Sequence, residues 1–381
     1  MKTIFILILS ASGLLAGDPD RISQQKIILN PSLTKDRFHL SGFADFNSVP
    51  TSHISTANPA AISHYEKISA GLSFSYFSEI EFIESLSLKR KRPWLPASAG
   101  LVYPFRNIHF GAGYCQKYSE EFTSVLIPVT TPPDPGGSSG ETVTLKSESV
   151  IHSPSLLVTY SILNVLSKGD KLSFGGQIYW DLWREEQLMD DRRIGKISDD
   201  GLTWKVAMLY KFAVPLLIGI HYEKGVDMEG YVEDNATILS DPSSSSQFEP
   251  MPLPILFRLP DKLSTGITVR SIDHLWISTN FSLMFWNDVY GSYDNELDFS
   301  LNLKYQLSEY FSASLGFFQN NNPREQYDYD FFYEGDTQFL NAGLRTSFKN
   351  FEVRIDLSDS HFLSSRRDET TLFSAAIDYQ F

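Results

Sequence analysis

The sequence predicts an all-β fold: a transmembrane antiparallel β-barrel of about fourteen strands. Three observations predict it. Apolar and polar residues alternate over segments of roughly ten residues, the length a tilted strand needs to cross a bilayer. The connections between these segments are alternately short and long, as tight turns at one rim and long loops at the other require. Aromatic residues reach 14%, with 28 Phe and 18 Tyr, an excess that girdles at two bilayer interfaces would use.

The first element is residues 1–16. Lys2 precedes an apolar run from Ile4 to Leu9, followed by small residues up to Ala16. A basic start, a short apolar core and a small-residue end describe a cleaved signal peptide. The core is too short for a spanning helix, and beyond residue 16 no apolar stretch reaches the roughly 20 residues that such a helix needs. The expected destination is therefore the outer membrane of a Gram-negative-type cell, reached by export.

Residues 17–67 lack strand alternation and read as turns and short helical pieces with scattered apolar residues such as Phe38, Leu40 and Phe46. Such a segment either hangs below the barrel or folds into it. A lumen fourteen strands around is wide enough to need filling, which favours an N-terminal hatch or plug.

Residues 68–381 form the predicted barrel. In 297–306, Leu297, Phe299, Leu301, Leu303 and Tyr305 face one way, while Asp298, Ser300, Asn302, Lys304 and Gln306 face the other. In 351–358, Phe351, Val353, Ile355 and Leu357 alternate with Glu352, Arg354, Asp356 and Ser358. Short turns are expected at Arg106-Asn107, 164–170, 213–215, 271–274, 307–309 and Lys349-Asn350. Long connections are expected at 79–95, 119–147, 188–200, 230–256, 289–294, 321–335 and 363–368. The tally is fourteen strands, with 369–381 closing the wall against 68–78. In that last strand Tyr379 and Phe381 end an alternating apolar face, the pattern of a C-terminal barrel-assembly signal read by the barrel-assembly machinery.

The remaining chemistry is sparse. The net charge is −14 and no basic stripe interleaves with aromatics, which argues against a nucleic-acid partner. Cys115 is the single cysteine, so no intrachain disulfide is possible. The eight His show no metal-ligand spacing, and no cofactor is implied. His109 and His152 fall on adjacent predicted strands near possible Ser partners such as Ser153, but a histidine in a polar lumen is the commoner arrangement, so no catalytic residue and no metal are assigned. Lys89-Arg90-Lys91-Arg92 falls in the first predicted outer loop, where it is either solvated or set against lipopolysaccharide phosphates.

Thr56-Ala57-Asn58-Pro59-Ala60-Ala61-Ile62 leads directly into the first strand. This Asn-Pro-Ala step resembles the FadL/OmpP1/TodX family of outer-membrane transport proteins. The hairpin LVYPFRNIHFGAGYCQKY (101–118) resembles that family and its PorV/PorQ-like relatives, and LPDKLSTGITVR (259–270) is similar to the start of one of its late strands. The glycine-rich start usual in such proteins is reduced here to Ser41-Gly42-Phe43-Ala44.

The resemblance implies a hatch shaped by Asn58, Pro59 and Ala60. It also implies hatch-gated uptake of a hydrophobic small-molecule ligand, a long-chain fatty acid or similar, with lateral exit through a kink in the third strand. Gly111 and Gly113 in that strand are the kink candidates, or else they let a plug pack close to the wall. Two alternatives stay open: a PorV-like barrel that serves protein partners as a secretion shuttle or scaffold, and a general diffusion porin.

Overall fold

The computed structural model describes residues 24–25, 49–83, 88–126, 143–189, 192–231, 255–272, 274–289, 291, 293–320, 337–363 and 371–381. The predicted signal peptide, most of 17–48 and the centres of several outer loops lie outside them.

In chain order the strands are β1 (Gln24–Gln25), β2 (Ser69–Ile83), β3 (Leu88–Phe105), β4 (Ile108–Leu126), β5 (Val143–Leu163), β6 (Lys171–Met189), β7 (Arg192–Lys211), β8 (Leu216–Glu223), β9 (Asp227–Gly230) and β10 (Ile255–Arg258). There follow β11 (Lys262–Ile272), β12 (Leu275–Met284), β13 (Glu296–Gln306), β14 (Phe311–Asn320), β15 (Thr337–Phe348), β16 (Phe351–Asp359) and β17 (Thr371–Gln380). Fourteen of these, β2–β8 and β11–β17, close into one antiparallel barrel. The seam pairs β17 with β2, from Leu372↔Phe77 to Gln380↔Ser69, and the Phe381 amide donates to the Ile68 carbonyl at 2.9 Å.

The alternation sorts side chains as a membrane requires. Leu156, Ile178, Leu202, Leu301 and Leu344 are exposed on the outer face, whereas Ser155, Gln177, Thr203, Ser300 and Asn341 are buried inside. A closed wall with apolar residues outward and polar residues inward satisfies nearly all of its ladder groups internally and suits a bilayer. Tyr103, Phe105, Tyr160, Phe348, Phe351 and Phe381 lie exposed at the short-turn rim. On the opposite side of the apolar band, the Trp180 indole N–H donates to Asp200 at 2.9 Å and Trp204 packs on Tyr222 at 5.5 Å. Amphipathic rings at both edges of the band form the two girdles.

The strand count and the turns agree with the sequence reading, while several strands run further than expected. Residues 88–95 belong to β3 and 192–200 to β7, where loops were predicted, and β4 and β5 extend into the predicted loop over 119–147, as far as Leu126 and from Val143. The Lys89–Arg92 run is therefore strand, with Lys91 opposite Glu121. Beyond the apolar band the outer face meets water, so residues such as Arg184 and Glu186 are exposed there and the alternation that marks a strand disappears.

Candidate functional site

Inside the barrel, residues 49–65 form two 3₁₀ turns, Thr51–His53 and Pro59–His64. Their sequence explains the second turn. The Asn58 side chain accepts the Ala60 amide at 2.9 Å, and Pro59 occupies the first helical position. An Asn cap followed by Pro suits a turn start, where the missing N–H costs nothing. Ala60 and Ala61 are buried because the wall comes very close: a Cβ on Gly175 would lie 2.5 Å from the Ala60 nitrogen. Gly113 leaves equivalent room for Ser55, whose Oγ would be 2.1 Å from a Cβ there.

The inner turns are bonded to the wall at two places. At the seam, the Ser52 amide donates to Asp378 at 2.7 Å, Arg354 donates to the Ser52 hydroxyl at 2.9 Å, and Arg354 also pairs with Asp378. On the other side, Thr159 donates to the Pro59 carbonyl at 2.7 Å. There too, Tyr179 donates to the Ser55 carbonyl at 2.5 Å, and Lys205 to the Thr56 carbonyl at 3.1 Å.

A buried ionic network extends from that second contact. Lys205 pairs with Glu223 at 2.9 Å. Glu223 also meets Lys117 at 3.5 Å, and Lys117 meets Asp181 at 3.2 Å. Lys117 stands 3.8 Å above the Tyr179 ring centroid. Charges this deep are tolerable only when paired and hydrogen-bonded. The sequence reading missed the network. Its members lie on four strands, and pairing between strands far apart in sequence is invisible to periodicity. Lys117 is further hidden because the pairing of β4 with β5 shifts register between Gln116 and Tyr118.

Lys117 links two other features. It lines a small cavity of about 40 Å³, mostly apolar in surface, together with Glu223, Val226, Leu259, Lys262, Met284 and Trp286. On the long-loop side, Phe257 packs on Tyr118 at 5.1 Å and on Trp183 at 5.3 Å, in a buried apolar cluster that also holds Met284 and Trp286. Lys117 also lies in a break in the wall. β3 and β4 pair from Phe105↔Ile108 to Ser98↔Cys115 and again from Lys91↔Glu121, but not between. Pro93 and Pro96 fall in that break, and proline has no N–H to give a ladder. The site thus combines an apolar cavity, an ionic floor and an unpaired stretch of wall beside it.

No protein-family profile and no curated protein matches the sequence. Solved structures do match. The Pseudomonas putida toluene transporter TodX superposes with a TM-score of 0.57 at 10% identity, covering 94% of this chain and 99% of that chain. The Ralstonia pickettii toluene transporter TbuX gives 0.55 at 14%, covering 88% and 98%, and a Pseudomonas aeruginosa FadL homologue gives 0.54 at 13%, covering 90% and 98%.

The fold is that of the FadL- and TodX-type barrels. Within this FadL-type fold, Asn58, Pro59 and Ala60 form the start of the second inner turn. Gly111 and Gly113 lie in the regularly paired part of β4, opposite Val102 and Gly100, and the register shift falls further along, at Lys117. Tyr379 packs on Phe381 and Phe351 at the closing rim, with ring centroids 4.8 and 4.6 Å apart. Of the histidines on adjacent strands, His109 contacts the Tyr65 carbonyl at 3.0 Å and His152 meets the Tyr114 hydroxyl at 2.6 Å, while Ser153 donates to Asp181 at 2.5 Å.

Proposed function

We propose that this FadL-type barrel resides in the outer membrane and takes up a hydrophobic small molecule through a hatch-gated, lateral route. The observation that carries this reading is the apolar cavity beside the break between β3 and β4, with Lys117 belonging to both. The inner turns act as the hatch, shaped by Asn58, Pro59 and Ala60. Gly113 serves the hatch by admitting Ser55, and Gly111 sits in the same strand below the opening. A hydrophobic ligand enters from the long-loop side, rests against Val226, Leu259 and Met284, and leaves between β3 and β4 without crossing the hatch.

A cleaved leader, recognition of Tyr379 and Phe381 by the barrel-assembly machinery, and outer contacts with lipopolysaccharide belong to the same reading. The toluene transporters among the structural neighbours support an apolar cargo, with long-chain fatty acids and monoaromatic hydrocarbons the first classes to try.

The test is uptake of radiolabelled oleate and toluene by cells that carry the barrel as their sole such transporter. Met284→Trp fills the cavity and is expected to cut uptake at least tenfold while the barrel still inserts. A disulfide between Ala97→Cys and Gln116→Cys, which bridges the break, is expected to do the same until it is reduced. Unchanged uptake in both would remove the lateral route. Steady single-channel current from the unmodified barrel would favour an open porin.

A further inference from the structure

Between β8 and β11 the chain leaves the wall. β9 and β10 pair with each other, from Asp227↔Arg258 to Gly230↔Ile255, in a small sheet of their own. One face of this strand pair lies on the inner side of the long half. A Cβ on Gly230 would stand 2.3 Å from Ile197 and 3.0 Å from the Trp183 ring. Phe257 packs on Tyr118 and Trp183, and the Glu229 amide donates to the Asp199 side chain at 2.8 Å. Asp227 and Glu229 are exposed.

The root of the pair is clamped. Asp261 accepts the Gly225 amide at 2.8 Å, pairs with Lys224 at 3.0 Å and also accepts the Tyr222 hydroxyl. Just beyond, the two segments cross closely: a Cβ on Gly225 would lie 2.1 Å from the Leu259 carbonyl oxygen. Glycine at such a crossing lets the backbone take up a bend, and a few residues at the end of an element are enough for a hinge.

The cavity lies at this root, lined by Val226, Leu259 and Pro260 together with Lys117 and Met284 of the wall. Its volume is about 40 Å³, whereas an apolar site that admits benzene measures roughly 150 Å³. A hydrophobic cargo therefore needs part of the lining to move. Met284 belongs to β12, which has ladders to strands on both sides, and β4 keeps its ladder to β5 past Lys117. The strand pair is held to the wall by side-chain contacts, so it is the part that yields first.

We propose that β9 and β10 form a lid, hinged at Gly225–Val226 and Leu259–Pro260, which lifts off β6 and β7 to enlarge the cavity. Phe257 is seated on Tyr118, in the stretch of β4 that β3 leaves unpaired, so the same motion frees the lip of the wall break. The lid rests on the uptake reading for its purpose, but its motion can be measured without transport.

The readout is the rate at which N-ethylmaleimide labels position 284 in Met284→Cys, in purified barrels in phosphatidylcholine nanodiscs. Position 284 is buried, and the reagent carries a ring too large for the closed cavity. Cys115→Ser removes the native thiol from the background. Ile197→Cys/Gly230→Cys fastens the lid to β7, because the two positions are within disulfide reach. Oxidation of that pair is expected to slow labelling at least tenfold, and reduction to restore it. Phe257→Ala, which loosens the lid without locking it, is expected to speed labelling at least tenfold. Equal rates in the oxidised and reduced pair overturn the lid, whatever uptake shows. Labelling controlled by the lock, in a barrel that takes up neither oleate nor toluene, upholds the lid and removes the uptake reading.

Discussion

Strands β4–β7 run 19 to 21 residues and bury Lys117, Asp181, Lys205 and Glu185 on their inner face. Strands β11–β17 run 9 to 12 residues, and the middle of their inner face is Ser264, Ser278, Asn280, Ser300, Asn302 and Asn341. The short half is a minimal membrane wall. Hydroxyls and amides bond across neighbouring strands, as in Asn280 to Ser300 and Asn341 to Ser358, both at 2.9 Å. Each such bond adds about 1 kcal/mol and asks for no partner beyond the next strand. The long half rises past the apolar band and buries full charges, which cost several kcal/mol per ion to desolvate. That cost is offset only where the charges also hold the inner turns or border the cavity. The difference indicates that the long half carries most of the working machinery, while the short half closes the wall and contributes one buried ion pair, Arg354–Asp378, to the hold on the inner turns.

The largest expected effect tests the closing role. A chain lacking Phe381 loses the Phe381 amide bond to Ile68 and the ring contact with Tyr379 at the seam. It is expected to fail to insert, read as loss of the folded, heat-modifiable band on gels; normal insertion would separate closure from this residue. Next is a matched pair across the two halves. Lys205→Met removes one partner of Glu223 and two bonds to the inner turns, and should destabilise by roughly 3–5 kcal/mol. Asn280→Ala, buried in the short half, should cost roughly 1–3 kcal/mol. Unfolding in urea with the barrel held in detergent compares them, and equal losses would break the contrast drawn here.

How much of this was legible in the sequence follows the same division. In the short half, nearly every strand crosses only the bilayer, so apolar-out alternation runs from end to end, and 297–306 and 351–358 were readable residue by residue. In the long half, alternation marks only the crossing part, and the charged ends of β3 and β7 read as loops. The Asn-Pro-Ala step was legible because a cap and a first-turn proline are local signals. Glu223, Lys117 and Lys205 were not, because their meaning lies in distances between strands. A bulge at Lys117 also reverses which side chains point inward.

A smaller effect concerns pH. His64 ends the second inner turn and is held down to about 4 by burial, then by Lys171 and Lys211 nearby. It stays neutral when docked, while the released segment would take up a proton near the ordinary value of 6.5. Docking is therefore at full strength above about pH 6.5 and weakens as pH falls from there through 4. The protection factors for hydrogen exchange over residues 51–64, taken relative to intrinsic exchange at each pH, should fall from pH 7 to pH 5, and His64→Asn should flatten that dependence.

The smallest effect separates two roles of Asn58. Its Oδ1 caps Ala60 at 2.9 Å, and its Nδ2 reaches the Met208 carbonyl on β7 at 3.4 Å. A cap lost to Ala costs about 1 kcal/mol, and to Gly only a few tenths, because Gly leaves the turn's own amides open to other partners. If capping is the role of Asn58, Asn58→Gly should therefore dock the inner turns almost as well as the unchanged chain, and Asn58→Ala measurably less well, by protease protection of residues 49–67. Equal losses in the two variants would shift the weight to the Met208 bond. The Asn-Pro-Ala step would then belong to the long half's grip on the inner turns rather than to the turn itself.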